Sequence, residues 1–373
     1  MINLLFGGDY IPSKHKENEL SEELYLLFKG ADYIILNLET TLTTSDIKIK
    51  KTGLNFKRKP EQIKKAKDAG VNALTLANNH INDFGEKGIL DTLETCHKFE
   101  IKTIGAGKNK KEASSPLRIK LEGKLVSIIN TCENEFNGAT DNTSGAHVFD
   151  LIDLYSQIQR EKDESDVIIV VYHGGIEYVE YPSPMIVKVF KHLVDIGVDC
   201  VVSHHTHYYS GAITYKNKPI IFGLGNFYKE TSKKNPNERL NLGLIAEVTI
   251  DKKNNINYSL IPTQQNNQLK TVDLCDETKK KEVLNDIKSI SAIIENEGEL
   301  LNYWERYFEK ESEKIINLIF SRSKLIYKIK KRISFLNKPP HYNSMVLLNL
   351  IQCDSHKYKI TKVLNSIYKK DRK

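Results

Sequence analysis

VDCVVSHHTH, residues 198–207, joins a mostly apolar run to three histidines within five positions. Histidine is the commonest metal ligand in proteins. Side chains two positions apart in extended backbone project to the same side, so His205 and His207 are able to face one metal cluster. The stretch therefore predicts a buried strand that ends at a metal site.

Other polar residues also follow short apolar runs, namely Asp9, Glu39, Asn79, His80 and His173. In α/β folds the loops at the carboxyl ends of strands hold the chemistry. We therefore expect five or six such loops to form a two-metal site. In such a site a carboxylate bridges two ions, and imidazoles and an amide oxygen complete the coordination.

Apolar runs alternate with helical patterns over residues 2–261, and this alternation predicts an α/β domain. Strands are expected at 2–6, 33–36, 73–76, 125–129, 167–172, 198–202 and 220–222, and helices at 20–28, 61–69, 88–99 and 184–196. Residues 242–250 and 256–261 predict a hairpin that closes the sheet, with Pro262 at its end.

The C-terminal quarter differs from the rest in charge. Residues 279–373 contain 21 Lys and Arg against 11 Asp and Glu, a net charge of +10 in a chain whose total is +7. The polar run 264–268 predicts a linker. We therefore divide the chain into a domain over 1–263, a linker over 264–278 and a basic helical region over 279–373, with helices at 278–295 and 300–336 and a short element at 345–351.

Composition limits the cellular compartments and the classes of partner that we expect for this chain. Five scattered cysteines without a CxxC pair argue against a disulfide framework and a structural zinc cluster, and fit a reducing compartment. No window approaches the ~18 apolar residues of a membrane span. We expect a cytoplasmic protein, with residues 279–373 able to lie on the inner face of the membrane. Because no aromatic stacking platform accompanies the basic helix, we expect no nucleic-acid partner.

A series of motifs occurs in order along the first 250 residues: FGGD (6–9), NLET (37–40), ANNHINDFG (77–85), HGGIEY (173–178), Pro182, SHHTH (203–207) and LGNF (224–227). Together they closely resemble the capsule-synthesis CapA proteins, also called poly-γ-glutamate synthesis proteins. These proteins are a branch of the calcineurin-like metallophosphoesterase superfamily. The resemblance implies a four-layer α-β-β-α sandwich with a metal centre at the strand ends, followed here by the helical C-terminal extension.

The resemblance also implies roles for single residues. Glu39 stands at the position that bridges the two ions, His205 and His207 each serve one ion, and His80 is the catalytic partner. The full set of implied metal ligands is Asp9, Glu39, Asn79, His173, His205 and His207. Ligands of this mixture suit one or two Mn, Zn or Fe ions. Glu177, Tyr178 and Asn226 are expected in the substrate pocket.

Four positions differ from the pattern of the family that the chain resembles. Ile11 replaces the histidine of the first motif, which weakens one metal site, and Glu39 replaces an aspartate. His204 stands where the superfamily has glycine. Gly174 stands where CapA relatives have tryptophan, and we expect this change to open the pocket. His15, His97, His192, His341 and His356 fit no cluster and are expected to be structural or solvent-facing.

Three interpretations of function remain open. The first is a metal-dependent hydrolase or transferase that acts on a phosphate ester or an amide-linked acidic substrate in capsule or cell-surface polymer synthesis. The second is a non-catalytic subunit that binds a polymer or a synthase, with a reduced metal site. The third is a membrane-surface scaffold that uses residues 279–373.

A second group of cations lies between Glu39 and Ala73. It contains Lys48, Lys50, Lys51, Lys57, Arg58 and Lys59. Such a loop attracts an anionic small molecule or polymer, or is simply a solvated surface, and both interpretations stay open.

Overall fold

The computed structural model describes residues 1–14, 19–229, 237–266, 268–320 and 348–370. The strands are β1 (Ile2–Ile11), β2 (Tyr33–Leu38), β3 (Thr41–Leu42), β4 (Lys57–Arg58), β5 (Ala73–Thr75), β6 (Lys102–Ile104), β7 (Ala106–Gly107), β8 (Leu117–Leu121), β9 (Lys124–Cys132), β10 (Gly145–Ala146), β11 (Val167–His173), β12 (Cys200–His204), β13 (Ala212–Tyr215), β14 (Lys218–Ile221), β15 (Asn226–Lys229), β16 (Leu242–Ile250), β17 (Ile256–Asn266) and β18 (Thr271–Leu274). The helices are α1 (Glu22–Lys29), α2 (Lys64–Asp68), α3 (Gly85–Lys98), α4 (Lys110–Ala113), α5 (Leu151–Glu164), α6 (Pro184–Asp195), α7 (Glu277–Glu295), α8 (Glu297–Phe320) and α9 (Asp354–Lys370), with 3-10 turns at Pro60–Ile63 and Glu238–Asn241.

Two large sheets form the centre of the fold. The first has the order β18-β17-β16-β1-β2-β5-β6, and β15 pairs with the end of β1. The second has the order β13-β14-β12-β11-β9-β8. Strands β1, β2 and β5 run parallel in the first sheet, and β9, β11, β12 and β14 run parallel in the second. The carboxyl ends of parallel strands are therefore available to build one site.

Side-chain alternation in β1 and β2 separates two cores. Leu4 and Ile35 lie in the core between the sheets, which also contains the buried strand residues of β9, β11 and β12 and side chains of α5 and α6. Leu5 and Ile34 point to the other face, where they pack with residues of α1, α2 and α3. Successive strand residues face opposite sides, so the chain forms helix, sheet, sheet and helix layers. The predicted four-layer α-β-β-α sandwich is confirmed.

Local sequence explains where several helices begin. The side chains of Ser21, Asp150, Ser183 and Asp276 accept hydrogen bonds from the first backbone N–H groups of α1, α5, α6 and α7. Such caps satisfy donors that the helix itself leaves unpaired. Pro184 occupies the first turn of α6, as the sequence predicts.

The region after residue 261 differs in detail from its prediction. Strand β17 continues past Pro262 to Asn266, and β18 pairs with it, so residues 264–266 and 271–274 are strands in the structure where the sequence predicts the linker 264–278. Pro262 has no N–H group, so the sheet lacks one backbone hydrogen bond at this position. Its carbonyl still accepts a hydrogen bond from Cys275 N, so the strand continues through it. The division into domains stays a prediction.

The predicted C-terminal helical extension is present. Helix α7 contacts β13 and β17, α8 contacts α6 and α7, and α9 contacts α8. The part of the predicted helix 300–336 after Phe320, and residues 345–347 of the predicted short element, lie outside the described residues. Among the helices that the structure describes, none is both long enough and apolar enough to cross a membrane.

Candidate metal centre

Asp9 is placed by a kink in β1. The first half of β1 pairs with β16 and its second half with β15, and the pairing with β2 shifts register between Gly7 and Asp9. A Cβ atom on Gly8 would lie 2.1 Å from the carbonyl oxygen of Gly225. Only glycine permits this approach, which lets Asp9 N donate to the same oxygen at 3.0 Å. The carboxylate of Asp9 is then fully buried and accepts from Asn37 Nδ2 at 2.7 Å.

Glu39 follows β2 directly and is completely buried. Neither of its carboxylate oxygens has a hydrogen-bond partner among the described residues. The nearest cations are His207 Nε2, 3.7 Å from Oε1, and Lys229 Nζ, 3.7 Å from Oε2. Burial raises the pKa of Glu39. Two orphaned buried oxygens are costly and indicate that a cation belongs beside them.

The loop after β5 carries Asn79 and His80. Asn130 holds this loop to the second sheet, because its Oδ1 accepts from Leu76 N and Ala77 N and its Nδ2 donates to Val171 O. Asn79 Oδ1 lies 3.2 Å from His173 Nε2. The loop thus brings an amide oxygen from the first sheet to an imidazole of the second.

His80 is fixed through one ring nitrogen. Its Nδ1 lies 2.7 Å from Asp83 Oδ2, so Nε2 remains for the cavity that His80 lines. Asp83 in turn forms a buried salt bridge with Lys51, whose Nζ also donates to Asn79 O at 2.9 Å. Burial and the nearby Lys51 lower the pKa of His80 well below its ordinary value.

The three remaining predicted ligands come from the second sheet. His173 ends β11, and its Nε2 lies 3.1 Å from His205 Nδ1. His207 Nδ1 lies 3.2 Å from Asp9 Oδ2 and 3.0 Å from Asn226 Oδ1. His205 and His207 both have positive φ, +93° and +58°. Non-glycine residues rarely adopt this conformation, and such strain is concentrated at functional sites.

Two groups of side chains in this centre are able to hold a metal ion. Glu39, His173 and His205 form one group, and Asp9, Glu39 and His207 form the other. Within each group the candidate ligand atoms all lie within 4.8 Å of one another. Glu39 belongs to both groups, and the residue types are those that divalent metals use. The orphaned oxygens of Glu39 and Asp9 Oδ2, which has no hydrogen-bond partner among the described residues, fit this assignment.

His204 lies on the inner side of the centre, next to Asp9. It is buried, its Nδ1 is 3.8 Å from Asp9 Oδ1, and it has no hydrogen-bond partner at that atom among the described residues. Ile11 is also buried and adds no ligand atom. Burial alone would raise the pKa of Asp9, but the contact with His207 and the other nearby imidazoles hold it well below the usual range.

A cavity of about 270 Å³ opens onto this centre. Its wall includes His80, His205, His207 and the predicted pocket residues Glu177 and Tyr178. The Tyr178 ring lies 5.5 Å from the His207 ring. Asn226, the third predicted pocket residue, instead contacts His207 and donates to Leu240 O at 3.0 Å. The structure therefore places Asn226 behind His207, a predicted ligand, where it orients the imidazole.

The cavity also contains residues that the sequence interpretation missed. Asn349 and His356 line it, although they lie far along the chain in and near α9. His356 was expected outside any cluster, and the structure corrects this expectation. Glu135 and the buried Lys51 also line the cavity. In the sequence, the Cys353-x-x-His356 spacing is the signal that could have indicated this segment.

Gly174 does not open the pocket as expected. A Cβ atom there would lie 2.6 Å from Glu133 Cγ and 2.8 Å from the Tyr172 ring. Glu133 Oε1 accepts from Tyr172 Oη at 2.9 Å and from Ser355 Oγ at 2.5 Å. The space beside Gly174 is therefore filled by a carboxylate that holds the C-terminal segment.

The basic loop between Glu39 and Ala73 divides in two. Lys51 is buried at the centre, and Arg58 is buried with its Nε donating to Pro12 O. Three cations of this loop, Lys57, Arg58 and Lys59, border a separate groove of about 1040 Å³. The groove is lined by Lys14, Thr43, Thr44, Lys57, Arg58, Lys59, Glu61, Gln62, Lys64, Lys65 and Asp68.

The fold and the site together define an α/β sandwich protein with a histidine- and carboxylate-rich candidate metal centre at its strand ends. The chain belongs to the family described as bacterial capsule synthesis protein PGA_cap, whose family model matches residues 4–231. The predicted resemblance is confirmed. The matched residues include every predicted ligand, whereas α7, α8 and α9 lie beyond them.

Named relatives agree with this membership. The chain is 32% identical over 208 residues to the capsule biosynthesis protein CapA of Bacillus anthracis and 28% identical over 239 residues to the PGA biosynthesis protein CapA of Bacillus subtilis (strain 168). These matches cover 53% and 61% of this chain but only 51% and 63% of the relatives. A probable polyglutamine synthesis accessory protein of Mycobacterium tuberculosis is 25% identical over 53% of the chain and 55% of its own length.

Similar solved structures are more distant. A hypothetical protein from Thermus thermophilus matches with a TM-score of 0.44 and 14% identity, over 70% of this chain and 99% of its own. A 5'-nucleotidase precursor from the same organism matches with a TM-score of 0.39 and 16% identity, over 77% of this chain and 58% of its own.

Proposed function

We propose that this chain is a metal-dependent hydrolase of the phosphoesterase type that acts on an anionic substrate in capsule or cell-surface polymer synthesis. The observation that carries the proposal is Glu39. It is shared by two groups of candidate ligands, is completely buried, and has no hydrogen-bond partner for either oxygen among the described residues. A carboxylate in this state is suited to bridge two cations.

The candidate ligands divide into two groups that share Glu39. Asp9, Glu39 and His207 would hold one ion, and Glu39, His173 and His205 would hold the other, with Asn79 Oδ1 beside His173. Mn, Zn and Fe all accept this mixture of ligands. When bound, such ions lower the pKa of a coordinated water and stabilise negative charge on the reacting group.

His80 would handle the proton of the leaving group. Its Nδ1 is held by Asp83 at 2.7 Å, so its Nε2 is the nitrogen that faces the cavity. Lys51 neutralises Asp83 and anchors the same loop through Asn79 O. With its Nδ1–H donated to Asp83, the imidazole would accept a proton at Nε2 from the attacking water and then pass it to the leaving oxygen or nitrogen.

The cavity favours a small anionic group over a bulky one. Its volume of about 270 Å³ lies near the lower end of ligand pockets. Lys229 contributes positive charge to its wall, and Tyr178 provides an exposed ring at its mouth. Because Glu135 and Glu177 also line the cavity, most of the attraction for an anion would come from the bound metal ions. A phosphate ester, or one acidic end group of a polymer, fits this description.

The test uses the full chain purified with added Mn²⁺. We expect bound metal by elemental analysis and turnover of an aryl phosphate monoester or diester, or of a γ-glutamyl anilide. Asp9→Ala and His80→Ala should lose turnover, whereas His192→Ala, which alters an exposed histidine of α6, should retain it. Metal content near zero, or equal turnover in all four proteins, would contradict the proposal.

A second candidate function is supported by the groove of about 1040 Å³, whose lining is mostly cationic. A non-catalytic subunit could use this groove to bind an acidic polymer during its synthesis. One relative carries the words "synthesis accessory protein" in its name. Restored polymer production by a Glu39/His205/His207 triple alanine variant would favour this function over hydrolysis. Contacts of residues 279–373 with a synthase or a membrane surface, and a cytoplasmic location, stay predictions.

A further inference from the structure

The segment 348–364, which we call the C-terminal cap, is attached to the loop between β3 and β4 and to the loop that follows β9. Asn349 Nδ2 donates to Thr52 Oγ1 at 3.0 Å. Ser355 Oγ donates to Glu133 Oε1 at 2.5 Å, and Cys353 Sγ donates to Glu133 Oε2 at 3.0 Å. A fully buried cysteine that faces a carboxylate is an unusual way to attach a surface helix.

Three side chains at this attachment form a group suited to a metal. They are Glu135 from the loop after β9, and Cys353 and His356 from the cap. One ligand atom from each lies within 4.8 Å of the others. Cys353 precedes α9 and His356 lies in its first turn, and residues three apart at a helix start lie on the same face.

In the part of the chain that the structure describes, one nitrogen of this group is left without a partner in the absence of a cation. His356 Nδ1 is buried and has no hydrogen-bond partner among the described residues. Cys353 Sγ lies 3.7 Å from Glu135 Oε1 and 3.0 Å from Glu133 Oε2. Burial and these two carboxylates raise the pKa of the Cys353 thiol far above its ordinary value, so the thiol keeps its proton as long as no cation compensates the negative charge.

We propose that Glu135, Cys353 and His356 bind a zinc-class divalent ion, separate from the two groups that share Glu39. A cysteine sulfur, a histidine nitrogen and a carboxylate oxygen are all ligand types that zinc uses, and three protein ligands leave a fourth position for water. On binding, a sulfur–metal bond forms, the S–H bond breaks, and the proton is released to solvent.

Such an ion would fasten the cap over the metal centre. His205 Nε2 lies 3.7 Å from Glu135 Oε1, so the proposed site is next to the centre but contributes a thiolate that neither Glu39 group contains. His356 and Asn349 both line the cavity. Fixing Cys353 and His356 to Glu135 therefore fixes one wall of that cavity.

Cobalt substitution of the full chain tests the site independently of hydrolysis. Because a thiolate bound to Co²⁺ gives a charge-transfer band in the near ultraviolet, we expect this band in the unaltered chain and in Cys275→Ser, a buried cysteine outside the group. We expect no band in Cys353→Ser. His356→Ala, which keeps the thiol, should weaken Co²⁺ binding at the thiolate site at least about tenfold.

The controls separate this inference from the proposed function. Glu39→Ala should lose metal from the main centre and keep the thiolate band, whereas Cys353→Ser should keep metal in the main centre. Absence of the band in the unaltered chain, its survival in Cys353→Ser, or its loss in Glu39→Ala would each overturn the separate site. If Cys353→Ser fails to fold, the His356→Ala titration decides, and unchanged affinity there overturns the proposal.

Discussion

The metal centre and the C-terminal cap meet at one cavity but are built in different ways. The centre uses residues at the ends of parallel strands, fixed by buried networks such as Asn37 to Asp9 and Asn130 to the loop after β5. The cap is fixed by a few polar side chains, chiefly Cys353 and Ser355 on Glu133. The family model matches residues 4–231, which contain the centre and not the cap. The candidate metal ligands thus lie in the matched part, and part of the cavity wall lies outside it.

The largest effect on hydrolysis is expected at Glu39, which lies in the candidate metal centre and not in the cap. Glu39→Gln keeps the shape but removes the negative charge shared by both candidate ligand groups. Loss of metal assistance is worth several kcal/mol, so we expect hydrolysis to fall about a thousand-fold. The metal-free protein should unfold at the same temperature or higher, because the substitution removes an unpartnered buried charge. A metal-free protein that is strongly destabilised would show that Glu39 is structural.

His80 gives the next largest effect and separates catalysis from metal binding. His80→Ala removes the imidazole that Asp83 orients and should lower kcat by at least about a hundred-fold. Metal content should stay unchanged, since His80 belongs to neither ligand group. The matched variant His192→Ala, on the surface of α6, should behave as the unaltered chain. Loss of metal in His80→Ala would place this residue among the ligands instead.

Gly174 tests the contact between the two regions. In Gly174→Ala the new methyl group would overlap with Glu133 and Tyr172, and such overpacking costs about 1–3 kcal/mol. Gly30→Ala is a suitable control, because its Cβ would meet only ordinary contacts of 3.5 Å or more. Denaturant unfolding should show a lower free energy of unfolding only for Gly174→Ala. Limited proteolysis should show greater protease access to the cap in the same variant. Equal stability of both variants would contradict the packing described beside Gly174.

The smallest effect is expected within the cap itself. Asn349→Ala removes the hydrogen bond to Thr52, worth about 0.5–1.5 kcal/mol. If the cap shapes the cavity and takes no part in the chemistry, KM should rise a few-fold while kcat and metal content stay unchanged. Steady-state kinetics across substrates of different size measures this split. A large fall in kcat would assign chemistry to the cap and remove the distinction between the two regions.

The difference between the candidate metal centre and the cap also explains which features the sequence could predict. The alternating apolar runs predicted an α/β domain and placed Asp9, Glu39 and His173 at strand ends without coordinates, whereas the four layers were predicted from the resemblance to the CapA proteins. Helix α5 was missed because its sequence, LIDLYSQIQREKDE, is largely polar, although Asp150 marks its start. Lys51 was visible only as one of several lysines, since its burial depends on Asp83 across a loop.

The cap could not be predicted for a different reason. Cys353 and His356 lie more than two hundred residues after Glu135, and no periodic pattern connects them. Their meeting depends on the packing of α9 on α8 and on the space that Gly174 leaves for Glu133. Such contacts are decided by tertiary packing, which local patterns do not encode.

The central claim is that Glu39 bridges two metal ions, and electron paramagnetic resonance of the Mn²⁺-loaded full chain tests it most directly. Two Mn²⁺ ions joined by one carboxylate are magnetically coupled, whereas separate ions give the simple spectrum of isolated Mn²⁺. The account predicts a coupled spectrum in the unaltered chain and only isolated Mn²⁺, or none, in Glu39→Gln. A spectrum of isolated Mn²⁺ alone in the unaltered chain, or a coupled spectrum that persists in Glu39→Gln, would contradict it.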